Sequence, residues 1–142
     1  MRHRNHTAKL GRTGSHKRCL MANMVKSLIE QGRIETSVAK AKEARRYADQ
    51  MITLAKNDTI ANRRHALATL MVRRNALTSR AARQVKEGDT RSCNRDRLVI
   101  DKLFGELGPR FAGRQGGYTR IVRTYARRGD HSEQCILEYL SA

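Results

Sequence analysis

Apolar residues fall into helical register early in this chain. Leu20, Met21, Met24, Val25, Leu28 and Ile29 follow an i, i+1, i+4, i+5, i+8, i+9 pattern, which is one face of a helix. Ser15 stands where a cap is needed, and Gly32 where a helix should end. Arg33–Thr36 then reads as a short extended stretch with Ile34 as its buried position. A second helix, about residues 38–56, follows a cap at Ser37 and turns Ala41, Ala44, Ala48, Met51, Ile52 and Ala55 inward. Lys40, Lys42, Arg45 and Arg46 lie mostly on its other side, where Glu43 and Asp49 mix the charge signs. Asn57-Asp58 breaks the chain, and Asp58 is placed to cap a third helix. Its stripe is Ile60, Leu67, Leu70 and Met71, with Arg63 and Arg64 directed elsewhere.

Residues 73–97 carry no clear period. Their Ala, Arg and Leu content is compatible with the third helix running on to about Lys86, before the break at Glu87-Gly88-Asp89-Thr90. Asp96 is placed to cap a fourth helix with Val99, Ile100, Leu103, Phe104 and Leu107 as its face, stopped by Gly108-Pro109. Four glycines between Gly108 and Gly117 argue against a long regular element there. Tyr118–Ala126 and Cys135–Leu140 read as two strands joined by a turn at Arg127–Ser132, with 33–36 as a plausible third partner. In the last strand Cys135, Leu137 and Tyr139 are the favoured inward set. A hairpin alone is marginal, so it should pack on the helices. The expectation is α+β: about four helices with a small antiparallel sheet of two to three strands. Residues 1–14 form an extended basic arm, disordered when free, and 15–142 a single domain.

Charge changes this picture from a fold into a partner. Thirty Lys and Arg against thirteen Asp and Glu give +17 in 142 residues, with a pI near 11. Solubility of a small domain asks only for a magnitude of about 2–8. The first acid is Glu30, and Arg2, Arg4, Lys9, Arg12, Lys17, Arg18 and Lys26 precede it, with His3, His6 and His16 among them. Two more acid-free blocks run from Arg63 to Lys86 and from Arg110 to Arg128. One such run is often a solvated face; three in one small chain point to a polyanion. Arginine dominates the later blocks, and its planar fork meets phosphate with two hydrogen bonds. Aromatic residues make up 4% and Trp is absent, so base stacking is not the main binding mode.

Other chemistries find little support. Cys19, Cys93 and Cys135 are odd in number and widely spaced, which reads as free thiols in a reducing compartment. His3-x-x-His6 and His16-x-x-Cys19 imitate a zinc spacing, but Cys19 lies near the apolar stripe of the first helix and reads as a small core residue. No metal or other cofactor is therefore expected. The carboxylates are scattered and nothing marks a nucleophile, so no catalytic residue is nominated. Gly113-Arg114-Gln115-Gly116-Gly117 could offer backbone N–H groups to a phosphate, although its glycines also suit plain tight turns; no Gly-Lys-Ser/Thr follows it. No apolar run approaches the roughly 18–20 residues of a membrane span, and the basic N-terminus lacks an apolar region behind it, so the expected location is the cytoplasm. An architectural DNA-binding protein is the alternative; it would call for dimer symmetry or apolar wedges, and neither stands out.

The residues also resemble a known family. Met1-Arg2-His3-Arg4, Lys9-Leu10-Gly11-Arg12 and Ser15-His16-Lys17-Arg18 are similar to the N-terminus of the bacterial large-subunit ribosomal protein numbered seventeen. So are Arg33-Ile34-Glu35-Thr36-Ser37, Ala39-Lys40-Ala41-Lys42-Glu43, Ile52-Thr53-Leu54-Ala55-Lys56 and Ala61-Asn62-Arg63-Arg64. The longest match is Leu103-Phe104 through Gly108-Pro109-Arg110-Phe111-Ala112 to Gly116-Gly117-Tyr118-Thr119-Arg120-Ile121. The resemblance covers most of 1–72 and 98–140, and residues 73–97 look longer than the short forms of the family. It implies a compact α+β domain on large-subunit ribosomal RNA beside neighbouring ribosomal proteins, on the solvent side near the nascent-chain exit, without enzymatic activity. Membrane and small-molecule partners are not expected. Together, charge and resemblance nominate Arg2, His3, Arg4, His6, Lys9, Arg12, His16, Lys17, Arg18, Arg63, Arg64, Arg110, Arg114, Arg120 and Arg123 as RNA-binding residues.

Overall fold

A computed structural model of the chain describes residues 8–141. Arg2, His3, Arg4 and His6 lie outside the described residues. The first helix, α1 (Gly14–Gln31), starts behind Thr13, whose backbone is extended; Ser15 lies inside the helix and does not cap it. It buries Met21, Ala22, Val25, Leu28 and Ile29 and ends at Gly32, which takes φ 79° and donates its N–H to the Leu28 carbonyl at 2.8 Å. A left-handed residue there suits glycine. Residues 8–13 are not a plain extended arm. Leu10 and Gly11 hold positive φ, Arg12 N–H returns to the Lys9 carbonyl at 3.2 Å, and Leu10 packs on the core.

Strand β1 (Arg33–Ser37) leads through Ser37 into α2 (Val38–Lys56), whose bounds and inner stripe follow the sequence pattern, except that the Ser37 side chain makes no capping bond and Glu43, expected on the mixed-charge side, is buried. Helix α3 (Ile60–Thr69) is capped by Thr59, whose hydroxyl accepts from Asn62 N–H; Asp58 binds Arg63 instead. The expected stripe of α3 is only partly correct. Ala66 and Leu70 are buried, Leu67 is half-buried, and Ile60 and Met71 are exposed. Ile60 occupies the first turn, and Met71 (φ 51°) has already left the helix. That left-handed residue also stops α3 from reaching Lys86. A separate helix, α4 (Ser79–Lys86), follows a loop and is capped by Thr78. The described residues thus hold five helices of eight residues or more.

Helix α5 (Arg95–Lys102) is capped by Asn94, which accepts from Arg97 N–H, and Asp96 lies within its first turn. The chain does not stop at Gly108-Pro109. It continues through a π-helical turn, Leu103–Leu107, into a last turn, α6 (Gly108–Arg110). Pro109 has no N–H to pair, so the start of a new turn accommodates it. Gly108 is required by closeness: a Cβ built on it meets the Ala55 carbonyl oxygen at 2.5 Å.

Strands β2 (Thr119–Ala126) and β3 (Glu133–Tyr139) complete a three-stranded antiparallel sheet of order β1-β3-β2. Leu137 pairs with Ile34 on one side and Ile121 on the other, and Cys135, Leu137 and Tyr139 face the helices. Helices α1 and α2, the α5–α6 segment and this inner face enclose one core. Cys135 belongs to it, and burial raises its thiol pKa. Cys19 does not, contrary to expectation. It is exposed on the flank of α1, with its sulfur 3.8 Å from that of Met71.

Acidic side chains tie the elements together. Burial pushes the Asp96 carboxyl up, but the Arg73 N–H at 2.8 Å and the Lys26 ammonium at 3.0 Å outweigh it, and the net pKa falls below 3.8. A lowered folded pKa means that protons bind more tightly to the unfolded chain. The contribution is therefore complete above 3.8 and fades as pH falls through the lower folded value. The Asp96→Asn variant is expected to lose stability near neutrality and to show a shallower loss below pH 4. Urea unfolding across pH checks this, and an acid limb as steep as the parent's would contradict it.

Candidate nucleic-acid interface

The fold sorts the cations of the three basic blocks into those that meet acids and those that do not. Lys17 is withdrawn from solvent: its ammonium lies 2.7 Å from Glu43 of α2, and the two side chains are 14% and 4% exposed. Lys26 is similarly held by Asp96. Lys9, Arg12 and Arg18 have no acidic partner among the described residues. Arg12 lies against the His16 ring, its Nη1 2.9 Å from Nε2 and 3.3 Å from Nδ1. Arg18 and Ala22 of α1, Tyr47 of α2, and His65, Ala68 and Thr69 of α3 line a shallow groove. Arg46 and Tyr47 continue into an adjoining hollow with Glu43 and Gln50.

The second block divides in two. Arg63 grips Asp58 through two hydrogen bonds, one of them at 2.7 Å, and its guanidinium lies 4.7 Å from the Phe104 ring centre. Hydrogen bonding with Arg63 lowers the Asp58 pKa, so the pair stays ionised near neutrality. Arg64 beside it is exposed and has no acidic partner among the described residues. Arg74 stands 3.9 Å from Asp101, and Arg80, Arg83 and Lys86 of α4 are exposed.

The third block surrounds the Gly113–Gly117 loop. Phe111 and Tyr118 are buried at its two ends with ring centres 5.3 Å apart, which pins the loop at its base. Arg110 donates to the Leu140 carbonyl and its guanidinium lies 5.3 Å from the Phe111 ring centre. Arg114 Nε donates to the Gly116 and Gly117 carbonyls, each at 3.1 Å, and Lys56 donates to the Arg114 carbonyl at 2.8 Å. Gly116 and Gly117 take φ 112° and 58°, so the turns themselves call for glycine. Arg110 and Arg114 form no ion pair among the described residues, although Arg110 shares a hollow with Glu106 and Glu138; Arg120 meets Glu138 at 2.7 Å and Arg123 meets Glu133 at 3.8 Å. Arg127 pairs with Asp130, whose pKa is drawn to about 2 by that hydrogen bond. A block without acids in sequence thus acquires them from the facing strand and turn.

Tyr47, His65, Arg46 and Lys56 lie outside the acid-free charge runs or are not distinguished by them. Tyr47 borders the inner stripe of α2 beside Arg46, an aromatic next to a cation, and this is the one local signal that marks the groove. Nothing local marks Lys56, which reaches the loop only through the fold.

Among the described residues no three His, Cys, Asp or Glu side chains gather closely enough to hold a metal ion. No helix of the described residues is long and apolar enough to cross a membrane. A small α+β scaffold whose surface gathers arginine around shallow, pinned features defines a structural binding domain for a polyanion. The profile of a family described as Ribosomal protein L17 matches residues 20–140, and the chain belongs to that family. Its members are structural constituents of the ribosome and not enzymes. The large ribosomal subunit protein bL17 of Protochlamydia amoebophila is 61% identical over 141 residues, 99% of both chains. The proteins of the same name from Chlamydia felis and Chlamydia pneumoniae are 58% and 56% identical, over 99% and 100% of both chains.

Proposed function

We propose that the chain holds large-subunit ribosomal RNA by phosphate contacts from three surfaces: the basic arm of residues 1–14, the α1–α3 groove with Arg64, and the loop with Arg110 and Arg114. Residues 15–142 act as the single domain that carries them. The observation behind this reading is that Lys9, Arg12, Arg18, Arg64, Arg110 and Arg114 are exposed and form no ion pair among the described residues, on a chain of net charge +17. Arg2, His3, Arg4 and His6 extend the first surface. Arg63, Arg120 and Arg123 share their charge with carboxylates and contribute less, and Lys17 contributes through the fold. His16 joins when a phosphate takes Arg12 from it. Backbone contacts fix position and carry little base information. Neighbouring proteins of the large subunit complete the surroundings.

Binding of the purified chain to a large-subunit ribosomal RNA transcript, followed by filter retention across salt, tests this. Ten phosphate contacts on single-stranded segments give a log–log slope of roughly −7. The double variant Arg110→Glu/Arg114→Glu and a chain lacking residues 1–8 should each weaken binding at least tenfold. The deletion stops at residue 8 because Leu10 packs on the core. An affinity indifferent to salt, or association abolished by DNase and spared by RNase, would refute the reading.

A further inference from the structure

Residues 76–92 leave the domain and return to it through a neck closed by side-chain hydrogen bonds. Asn94 N–H donates to Asn75 Oδ1 at 3.2 Å, and Asn75 Nδ2 to the Ser92 carbonyl at 2.7 Å. Arg97 donates to the Asn75 carbonyl at 2.7 Å, and Asn94 Nδ2 to that of Arg73 at 2.6 Å. The neck is fastened to α1 through Asp96, which takes Arg73 N–H and the Lys26 ammonium. Beyond it stands α4, with no buried residue and no part in the principal contacts between elements.

This helix is built to form but has no core to rest on. Thr78 caps its start and Arg83 and Lys86 lie in its last turn, where cations suit the carbonyl ends. Yet a helix of eight residues is marginal in water without tertiary packing. Ala81, Ala82 and Val85 lie half-buried on one side, too little apolar area to seat a protein. On the other side Arg80, Arg83 and Lys86 are exposed, with no acidic partner among the described residues. Arg80 and Arg83 are three apart, neighbours on one helical face. The neighbouring acid Asp89 is taken by Arg91 at 2.8 Å and drawn to a pKa of about 2, so it stays charged and occupied.

We infer that the 76–92 excursion is a separate RNA-gripping finger, whose Arg80, Arg83 and Lys86 face binds a phosphate backbone and whose helix is held in place by that contact. This rests on the ribosomal-RNA reading above and adds a fourth surface, independent of the other three. Charge selects RNA over a protein partner: three cations, Arg80, Arg83 and Lys86, outnumber the one exposed acid on that side, Glu87 at the C-terminal cap, and the apolar side is small.

The test uses the full chain and the large-subunit ribosomal RNA transcript. The variant Arg80→Glu/Arg83→Glu/Lys86→Glu should bind at least tenfold more weakly at low salt, with a log–log slope shallower by about 2–3. A second variant, with 76–92 replaced by a short Gly-Ser link between the neck strands, should lose the same affinity and keep the parent's urea midpoint. Amide exchange across residues 80–86 should slow when RNA is added. If both finger variants bind like the parent while Arg110→Glu/Arg114→Glu loses affinity, the finger is refuted and the general RNA reading stands. If no variant changes affinity or slope, both fall. A photoreactive residue at position 83 should crosslink to RNA in assembled subunits, and crosslinking only to protein would overturn the inference.

Discussion

Replacing Glu43 by leucine is expected to destabilise the domain by about 3 kcal/mol, because breaking a buried ion pair strands its partner's charge. Glu43 is 4% exposed and Lys17 14%, with 2.7 Å between them. The ammonium left behind would sit among side chains that cannot replace the carboxylate. Lys17→Met should be about as costly, since it strands the more deeply buried group. The double variant Lys17→Met/Glu43→Leu should recover most of the loss, because two apolar groups need no desolvated charge balanced. Urea unfolding of all four proteins gives the coupling energy directly. A coupling below about 0.5 kcal/mol would reduce the pair to an ordinary surface contact. The same proteins separate stability from RNA binding: Lys17→Met should shift the unfolding midpoint and leave the salt slope of RNA binding unchanged.

Gly108→Ala is expected to cost about 2–3 kcal/mol, the upper part of the range for forcing extra volume into a packed core. The added methyl would meet the Ala55 carbonyl oxygen at 2.5 Å and its carbon at 3.0 Å, and both are backbone atoms that no rotamer change can move. The α6 turn and α2 would have to separate. Phe111 follows directly and packs on Tyr118 and Tyr139, so the shift would reach the base of the Arg110–Arg114 loop. The melting temperature should fall by several degrees, roughly 3–4 °C for each kcal/mol. Gly105→Ala, with open space around its Cβ, is the control and should be nearly neutral. Equal losses in the two variants would show that glycine flexibility, and not contact with Ala55, sets the cost.

Much of this architecture was legible where one periodicity ran unbroken. The inner stripes of α1 and α2, the alternation of Cys135, Leu137 and Tyr139, and the ends at Gly32 and Ser37 follow from spacing alone. Caps were less legible because adjacent residues compete. Asp58 and Asp96 are sound caps in isolation, but Arg63 and Lys26 claim their carboxylates, and Thr59 and Asn94 take the capping role. The break at Met71 had no signal, since its left-handed backbone is set by context and not by residue type. The candidate site was legible as charge but not as accessibility. Runs of arginine look alike in sequence. Only the fold separates Arg18 and Arg64 from Lys17, or shows that Glu133 and Glu138 lie across from Arg123 and Arg120.

The sheet order leaves β2 with one side unpaired. Such a row of free N–H and C=O groups is a template on which identical chains can stack. Here the template is self-limiting. The ladder of β2 with β3 shifts register between Arg123 and Ala126, which breaks the even row of unpaired groups on its outer side. An interrupted edge of this kind is a poor template for further strands, so the same irregularity that bends β2 also limits edge-to-edge stacking of free chains.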